Sequence, residues 1–177
     1  VITFVAETGA GLSNATSYVT VAEADDIAAL NIHSAAVWAA LDNATKQNLL
    51  MYVTRVLDSR TTWEGTKAVT AQALEWPRTD VVDRYSSAVA SNVVPYNVRW
   101  AVVELAKFTM ADDRLAKWQP DNAILSAKVD TITVQFADPT LLAVNMYRTP
   151  PIVTDLLKGL GKVRNSNRRI TFGALIS

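Results

Sequence analysis

The sequence predicts a mainly α protein: a small helical bundle with short β segments and an extended C-terminal arm. Three observations carry this expectation. Leu49, Leu50, Val53, Val56 and Leu57 repeat with helical spacing, and so do Val98, Val102, Leu105 and Ala106. β-branched alternation is confined to short stretches at the two ends and after Trp118. Beyond Gly161 the chain turns basic and then alternates Ile170, Phe172, Ala174 and Ile176, a pattern short of partners in the helical part. The division that follows is an N-terminal extended segment over 1–19, a helical domain over 20–118, and a strand-containing region with the arm over 119–177.

The elements follow in order. Ile2 and Phe4 alternate like a strand before the break at Gly9-Ala10-Gly11, and Ser17 to Val21 is short, β-branched and extended. Thr20 then caps a helix, with Glu23 in the capping-box position and Asp25 and Asp26 where the N-terminal dipole favours acids. Ile27, Leu30 and Ala24 are expected on its inner face. Ala35 to Leu41 is a short helix anchored by Trp38, and after Asp42 or Asn43 a longer helix spans about 44–59. Trp63-Glu64-Gly65 reads as a turn, and Gln72 to Arg78 as a helical turn stopped at Pro77. Pro95 suits the first turn of a helix reaching about Leu115, with Phe108 or Met110 facing inward. Ala127 to Ala137 carries a half-buried strand signature in Ile132, Val134 and Phe136. Pro150-Pro151 opens a short helix bearing Ile152, Leu156, Leu157 and Leu160, closed by Gly159 or Gly161.

Bulk composition narrows the function classes. Half of the 177 residues are apolar and 19% are charged, so wholesale disorder is excluded. Seventeen basic residues balance seventeen acidic ones, which removes any global drive toward nucleic acid or anionic membrane. The absence of cysteine excludes disulfides, thiolate metal sites and cysteine nucleophiles. The opening Val1 to Glu7 lacks the basic-then-apolar pattern of a secretory signal, and no apolar run approaches the roughly 18–20 residues of a membrane span.

Catalysis finds no constellation, and the chain is expected not to be an enzyme and to need no cofactor. His33 is the sole histidine, so any triad or histidine metal cluster would have to use it, and its setting in Asn31-Ile32-His33-Ser34 suits a surface loop. Gly9-Ala10-Gly11 lacks the third glycine and following helix of a dinucleotide site. The pairs Asp25-Asp26 and Asp112-Asp113 are sequence neighbours that diverge on a helix, so neither forms a proton-sharing dyad. For nucleic acid, Lys158 to Arg169 could meet phosphates, and Trp63, Trp76, Trp100 and Trp118 could stack on bases. The tryptophans lie among apolar residues or at element boundaries, which favours core and interface anchoring.

Several ordered segments resemble a known family. They are Glu7-Thr8-Gly9-Ala10-Gly11 leading to Ala15 through Asp25, then Trp38 with Ala40-Leu41, and Lys46 through Asp58. Trp63-Glu64-Gly65, Gln72-Ala73-Leu74-Glu75-Trp76-Pro77-Arg78, and Val94-Pro95 with Val98, Ala101, Glu104, Leu105 and Ala106 complete the series. Together these are similar to tailed-phage proteins labelled DnaT-like and regarded as head-to-tail connector or adaptor subunits. The resemblance implies a virion structural protein of the neck region, assembled in the host cytoplasm. It further implies a homo-oligomeric, dodecameric ring between the portal protein and a downstream neck or tail protein, with genomic DNA passing through without sequence-specific binding and no membrane contact. The alternative, carried by the family label, is a single-stranded-DNA-binding replication accessory.

Under the adaptor expectation the segment from Pro150 leaves the helical domain and docks on a partner. The contact residues would be Leu156, Leu157, Leu160, Lys162, Arg164, Arg168, Arg169, Ile170, Phe172 and Ile176. The competing arrangement pairs the last strand with Ile132-Val134-Phe136 of its own chain. On the same adaptor expectation, the zero net charge and the lack of an aromatic-plus-basic surface motif predict weak or no binding of single-stranded DNA at physiological salt.

Overall fold

Helix-forming signals in this chain are strongest where a cap and an apolar stripe coincide, and those helices form the framework. The computed structural model describes residues 2–111, 115 and 149–164, and the backbone alone of 126–129 and 132–135. Helix α1, Val21–Ala29, opens on the predicted capping box: Thr20 Oγ1 accepts from the Glu23 N–H at 3.1 Å, and the Thr20 N–H donates to Glu23 Oε2 at 3.2 Å. Ala24, Ile27 and Ala28 are buried, whereas Leu30 is 68% exposed. The helical period explains the difference, because Leu30 stands about 200° around the axis from Ala28.

Helix α2, Ala35–Ala39, is held by Trp38, whose indole N–H donates to Asp25 Oδ1 at 2.7 Å. Helix α3, Asn43–Arg60, starts at the Asp42 cap, which accepts the Thr45 N–H at 2.8 Å. Its buried stripe is Lys46, Leu50, Val53, Thr54 and Leu57, with Leu49 only half-buried. The Lys46 ammonium meets the same Asp25 oxygen at 2.9 Å, so one carboxylate ties α1, α2 and α3 together. Helix α4, Tyr96–Thr109, begins after Pro95 and buries Val98, Ala101, Val102, Val103, Leu105, Ala106 and Thr109. It packs against α1 and α3. Phe108 and Met110 are both half-buried.

Between α3 and α4 the chain forms ladders and loops. Strand β1, Thr61–Trp63, leads through a turn at Gly65 to β2, Thr66–Lys67, which pairs antiparallel with β3, Arg78–Thr79. The expected helical turn at Gln72–Arg78 is absent. Gln72 instead folds its side chain onto the backbone, accepting from the Val69 N–H and donating to the Leu74 and Pro77 carbonyls.

The C-terminal expectation is corrected for residues 149–164. Helix α5, Pro151–Leu156, packs on α4, and the strand after it, Gly161–Val163, pairs antiparallel with β1, Thr61 opposite Val163. In chain order that strand is β6, since a hairpin of β4, Ser126–Val129, and β5, Ile132–Gln135, precedes α5. Val153, Leu157 and Leu160 are at most 3% exposed. Burial of each such side chain stabilises by about 1.5–3 kcal/mol, enough to hold a helix too short to stand alone against the chain that made it. Two contact units result, Val1–Asp113 with Thr149–Arg164, and Arg114–Arg148 with Asn165–Ser177. Residues 149–164 therefore belong to the first of these units rather than to an arm that leaves it at Pro150.

In the second unit the single strand expected over Ala127 to Ala137 is a hairpin, Val129 opposite Ile132. The fold class is corrected with it. Five helices, three of them under ten residues, alternate with three two-stranded antiparallel sheets among the described residues. This is a mixed helix-and-sheet fold and not a mainly α bundle, because the long α3–α4 connection builds ladders where a bundle would have a short loop.

Candidate functional site

The segments that carried the family resemblance fold into buried supports. Glu7 is 6% exposed, and its carboxylate accepts the N–H groups of Gly9, Gly11 and Leu12 at 2.8–3.0 Å. Gly9 has φ +97, and a Cβ there would sit 2.1 Å from the Asn92 carbonyl oxygen, so only glycine lets the two loops touch.

Tyr18 is fully buried and donates its hydroxyl to Asp58, 2.8 and 2.9 Å from the two carboxylate oxygens. Its oxygen accepts the Glu75 and Trp76 N–H groups. Burial raises the Asp58 carboxyl from 3.8 to about 6, and the hydrogen bonds from Tyr18 and Glu75 oppose the rise. Burial and the Asp58 charge push the Tyr18 phenol well above its usual range.

Arg78 is the centre of the third support. Its Nε donates to the Glu64 carbonyl at 2.7 Å and its Nη2 to the Gly65 carbonyl at 2.8 Å. Its Nη1 donates to both the carbonyl and the carboxylate of Glu75. Trp76 beside it is wholly buried, edge-on to Trp63 at 5.8 Å. These residues make the fold, and the polar atoms of Glu7, Tyr18, Asp58 and Arg78 are engaged within it.

Outward-facing chemistry gathers elsewhere. The loop between the bridged residues Val82 and Ala88 presents Tyr85, which is 79% exposed. The loop is tightly braced: Asp83 Oδ1 accepts the Tyr85 and Ser87 N–H groups at 2.8 and 2.9 Å. Gly159, at the turn after α5, has φ +85 and lies so close to this loop that a Cβ would be 2.5 Å from the Arg84 nitrogen. Arg84 Nη2 donates to the Asp155 carbonyl at 3.0 Å, and its guanidinium lies 6.0 Å from the Tyr85 ring.

Across an open groove of about 230 Å³ stands Tyr96, the 56%-exposed first residue of α4. Its ring leans on Trp100 at 5.1 Å, and the Arg99 guanidinium lies 5.7 Å from it. Glu23 ion-pairs with Arg99 from α1. Lys158 completes the groove, paired with Asp155 at 2.7 Å, both side chains more than half exposed. Aromatic rings beside cations can stack on planar rings and meet anions.

Most of the predicted contact residues lie elsewhere or inside. Leu157 and Leu160 are buried within their own chain and Leu156 is half-buried. Lys162 and Arg164 are exposed, and Arg164 Nη2 donates to the Ser59 carbonyl. Arg168, Arg169, Ile170, Phe172 and Ile176 lie outside the described residues, as do Trp118 and the Asp112-Asp113 pair. Of the tryptophans considered for base stacking, Trp63 and Trp76 are buried and Trp100 is half-buried behind Tyr96. His33 is exposed in its loop. Sequence reasoning missed Tyr85, Tyr96 and Arg84. The available signal was an aromatic inside a polar turn, Asp83-Arg84-Tyr85-Ser86-Ser87, and a second one directly after Pro95.

The chain matches, over residues 2–172, a family model described as "Putative DnaT-like ssDNA binding protein". It belongs to this DnaT-like family. No curated protein and no solved structure matches it. The family description names single-stranded DNA and not a capsid vertex. It overturns the expectation of a virion head-to-tail connector, with its dodecameric ring, its portal and tail partners, and a DNA that merely passes by. An aromatic-plus-basic surface does exist, assembled from segments around 84, 96 and 158 that no local motif could reveal.

Proposed function

We propose that this protein binds single-stranded DNA and acts by binding, with no chemical turnover. The observation that carries the reading is the family match across residues 2–172. The surface chemistry supports it. Tyr85 and Tyr96 are the most exposed aromatic residues among those described, and Arg84, Arg99 and Lys158 stand beside them. With a net charge of zero, attraction to phosphates is local, so affinity is modest and salt-sensitive. Stacking tolerates any base, so binding discriminates little between sequences.

The test is a titration of the purified chain into a fluorescein-labelled oligodeoxythymidylate, read by anisotropy at several salt concentrations. Saturable binding is expected, with log affinity falling by about 0.7 per contacted phosphate for each log unit of salt. No binding even at low salt would sink the proposal. Equal affinity for a duplex of the same length would remove its single-strand part.

A further inference from the structure

We propose that the groove between Tyr85 and Tyr96 is the seat of one unpaired nucleobase, with its adjoining phosphate held by Arg84 and Lys158. This rests on the single-strand reading above and names the place and the unit of recognition. Size argues first: about 230 Å³ falls below the roughly 300–1,000 Å³ of sites for drug-sized ligands and suits a single planar ring system. The lining argues second. Val89, Pro95 and Leu160 are its apolar members, and the two tyrosines add aromatic rings on which a base can stack.

Pre-organisation is the third argument. The Asp83 carboxylate fixes the backbone on both sides of Ser86, the Gly159 turn packs against Arg84, and Trp100 backs Tyr96. A wall already held in place loses little conformational entropy on binding.

The charges argue fourth. Among the described residues no carboxylate lies within ion-pair distance of Arg84. The Lys158–Asp155 pair is solvent-exposed on both sides, the kind of pair that contributes little and yields readily to a phosphate. Asp83 is the acidic member of the lining, and two backbone N–H groups of its own loop already occupy one carboxylate oxygen. Arg99 remains with Glu23 and serves as a support beneath Tyr96. A paired base cannot enter, because its hydrogen-bonding edge and its stacked neighbours keep it within the duplex.

The full chain, wild type and variants, is titrated with labelled oligodeoxythymidylate and oligodeoxyadenylate, and a 5-iododeoxyuridine oligonucleotide is photocrosslinked and the attachment mapped by mass spectrometry. Tyr85→Ala is expected to weaken both oligonucleotides by roughly 5- to 150-fold, the range for losing one stacked base. Tyr85→Phe keeps the ring and should bind like wild type. Arg84→Gln should flatten the salt dependence by about 0.7 log per log. Crosslinks should map to Tyr85 or Tyr96. Circular-dichroism melting should be unchanged for Tyr85→Ala, whose side chain stands in solvent.

Wild-type binding that survives Tyr85→Ala and Arg84→Gln together, or crosslinks mapping elsewhere, would overturn the groove assignment and leave the broader function standing. Failure of the wild type to bind at all overturns both.

Discussion

Replacing Arg78 by alanine should unfold the connection between α3 and α4 long before the helices themselves are strained. The guanidinium is 8% exposed in its side chain and makes four hydrogen bonds, to the carbonyls of Glu64, Gly65 and Glu75 and to the Glu75 carboxylate. Glu64 and Gly65 are exposed, so water can replace the donor at their carbonyls. The Glu75 carboxylate is 34% exposed and retains Lys67 at 3.3 Å, which softens the loss further. Breaking a buried pair costs about 3–5 kcal/mol, and this partial relief sets the expectation at the lower end, about 3 kcal/mol. For a chain of this length that corresponds to a fall in Tm of roughly 6–12 °C. Arg78→Lys keeps the charge but not the fork, and should recover only a minor part, leaving a loss of roughly 2 kcal/mol. Thermal and urea unfolding followed by circular dichroism measure both. A loss below about 1 kcal/mol for the alanine variant would show that the four bonds are replaceable and that the loop is held by Trp76 packing instead.

Three further outcomes follow from the same framework. Leu157→Ala should lower stability by about 2–5 kcal/mol, because Leu157 is wholly buried, and a urea midpoint unchanged from wild type would return residues 149–164 to the status of an arm. Gly9→Ala should destabilise by more than about 1 kcal/mol, since φ +97 and the Asn92 carbonyl both oppose a Cβ, and melting temperature checks it. Asp58 holds its proton more tightly folded than unfolded. Its contribution is therefore complete below about 3.8 and lost as pH rises through about 6, so urea midpoints should fall across that window and Asp58→Asn should flatten the fall.

The parts of the fold that were legible in the sequence are those set by neighbours in the chain. The Thr20–Glu23 box, the Trp38 anchor and the helix start after Pro95 each depend on residues within a turn or two and stand where capping and composition put them, while the α3 stripe keeps Leu50, Val53 and Leu57 inside but leaves Leu49 and Val56 half-buried. What was not legible depends on distant partners. Gly161-Lys162-Val163 has no strand pattern of its own and becomes a strand because Thr61–Trp63 offers it an edge. Gln72 to Arg78 looks helical from local propensity, yet the Arg78 fork to Glu64 and Gly65 and the Tyr18 hydroxyl under Trp76 impose another path. Pro150-Pro151 opens a helix as the sequence predicts, but stiffness at a proline pair says nothing about which surface the helix then meets.

The same division separates scaffold from site. The segments of family resemblance between Glu7 and Arg78 are informative in sequence because each is a local structural device, and the structure turns their polar groups inward. A residue whose carboxylate already holds three backbone N–H groups, as Glu7 does, has its acceptor capacity directed into the fold and little left to recognise a strand of DNA. Under the single-strand proposal, recognition falls to side chains that the fold positions but does not consume. Tyr85 and Arg84 meet that condition: the loop beneath them is fixed by Asp83 and the Gly159 turn, while the ring and most of the guanidinium remain free to engage. Such residues leave almost no trace in a single sequence, because their value lies in three loops meeting at one groove.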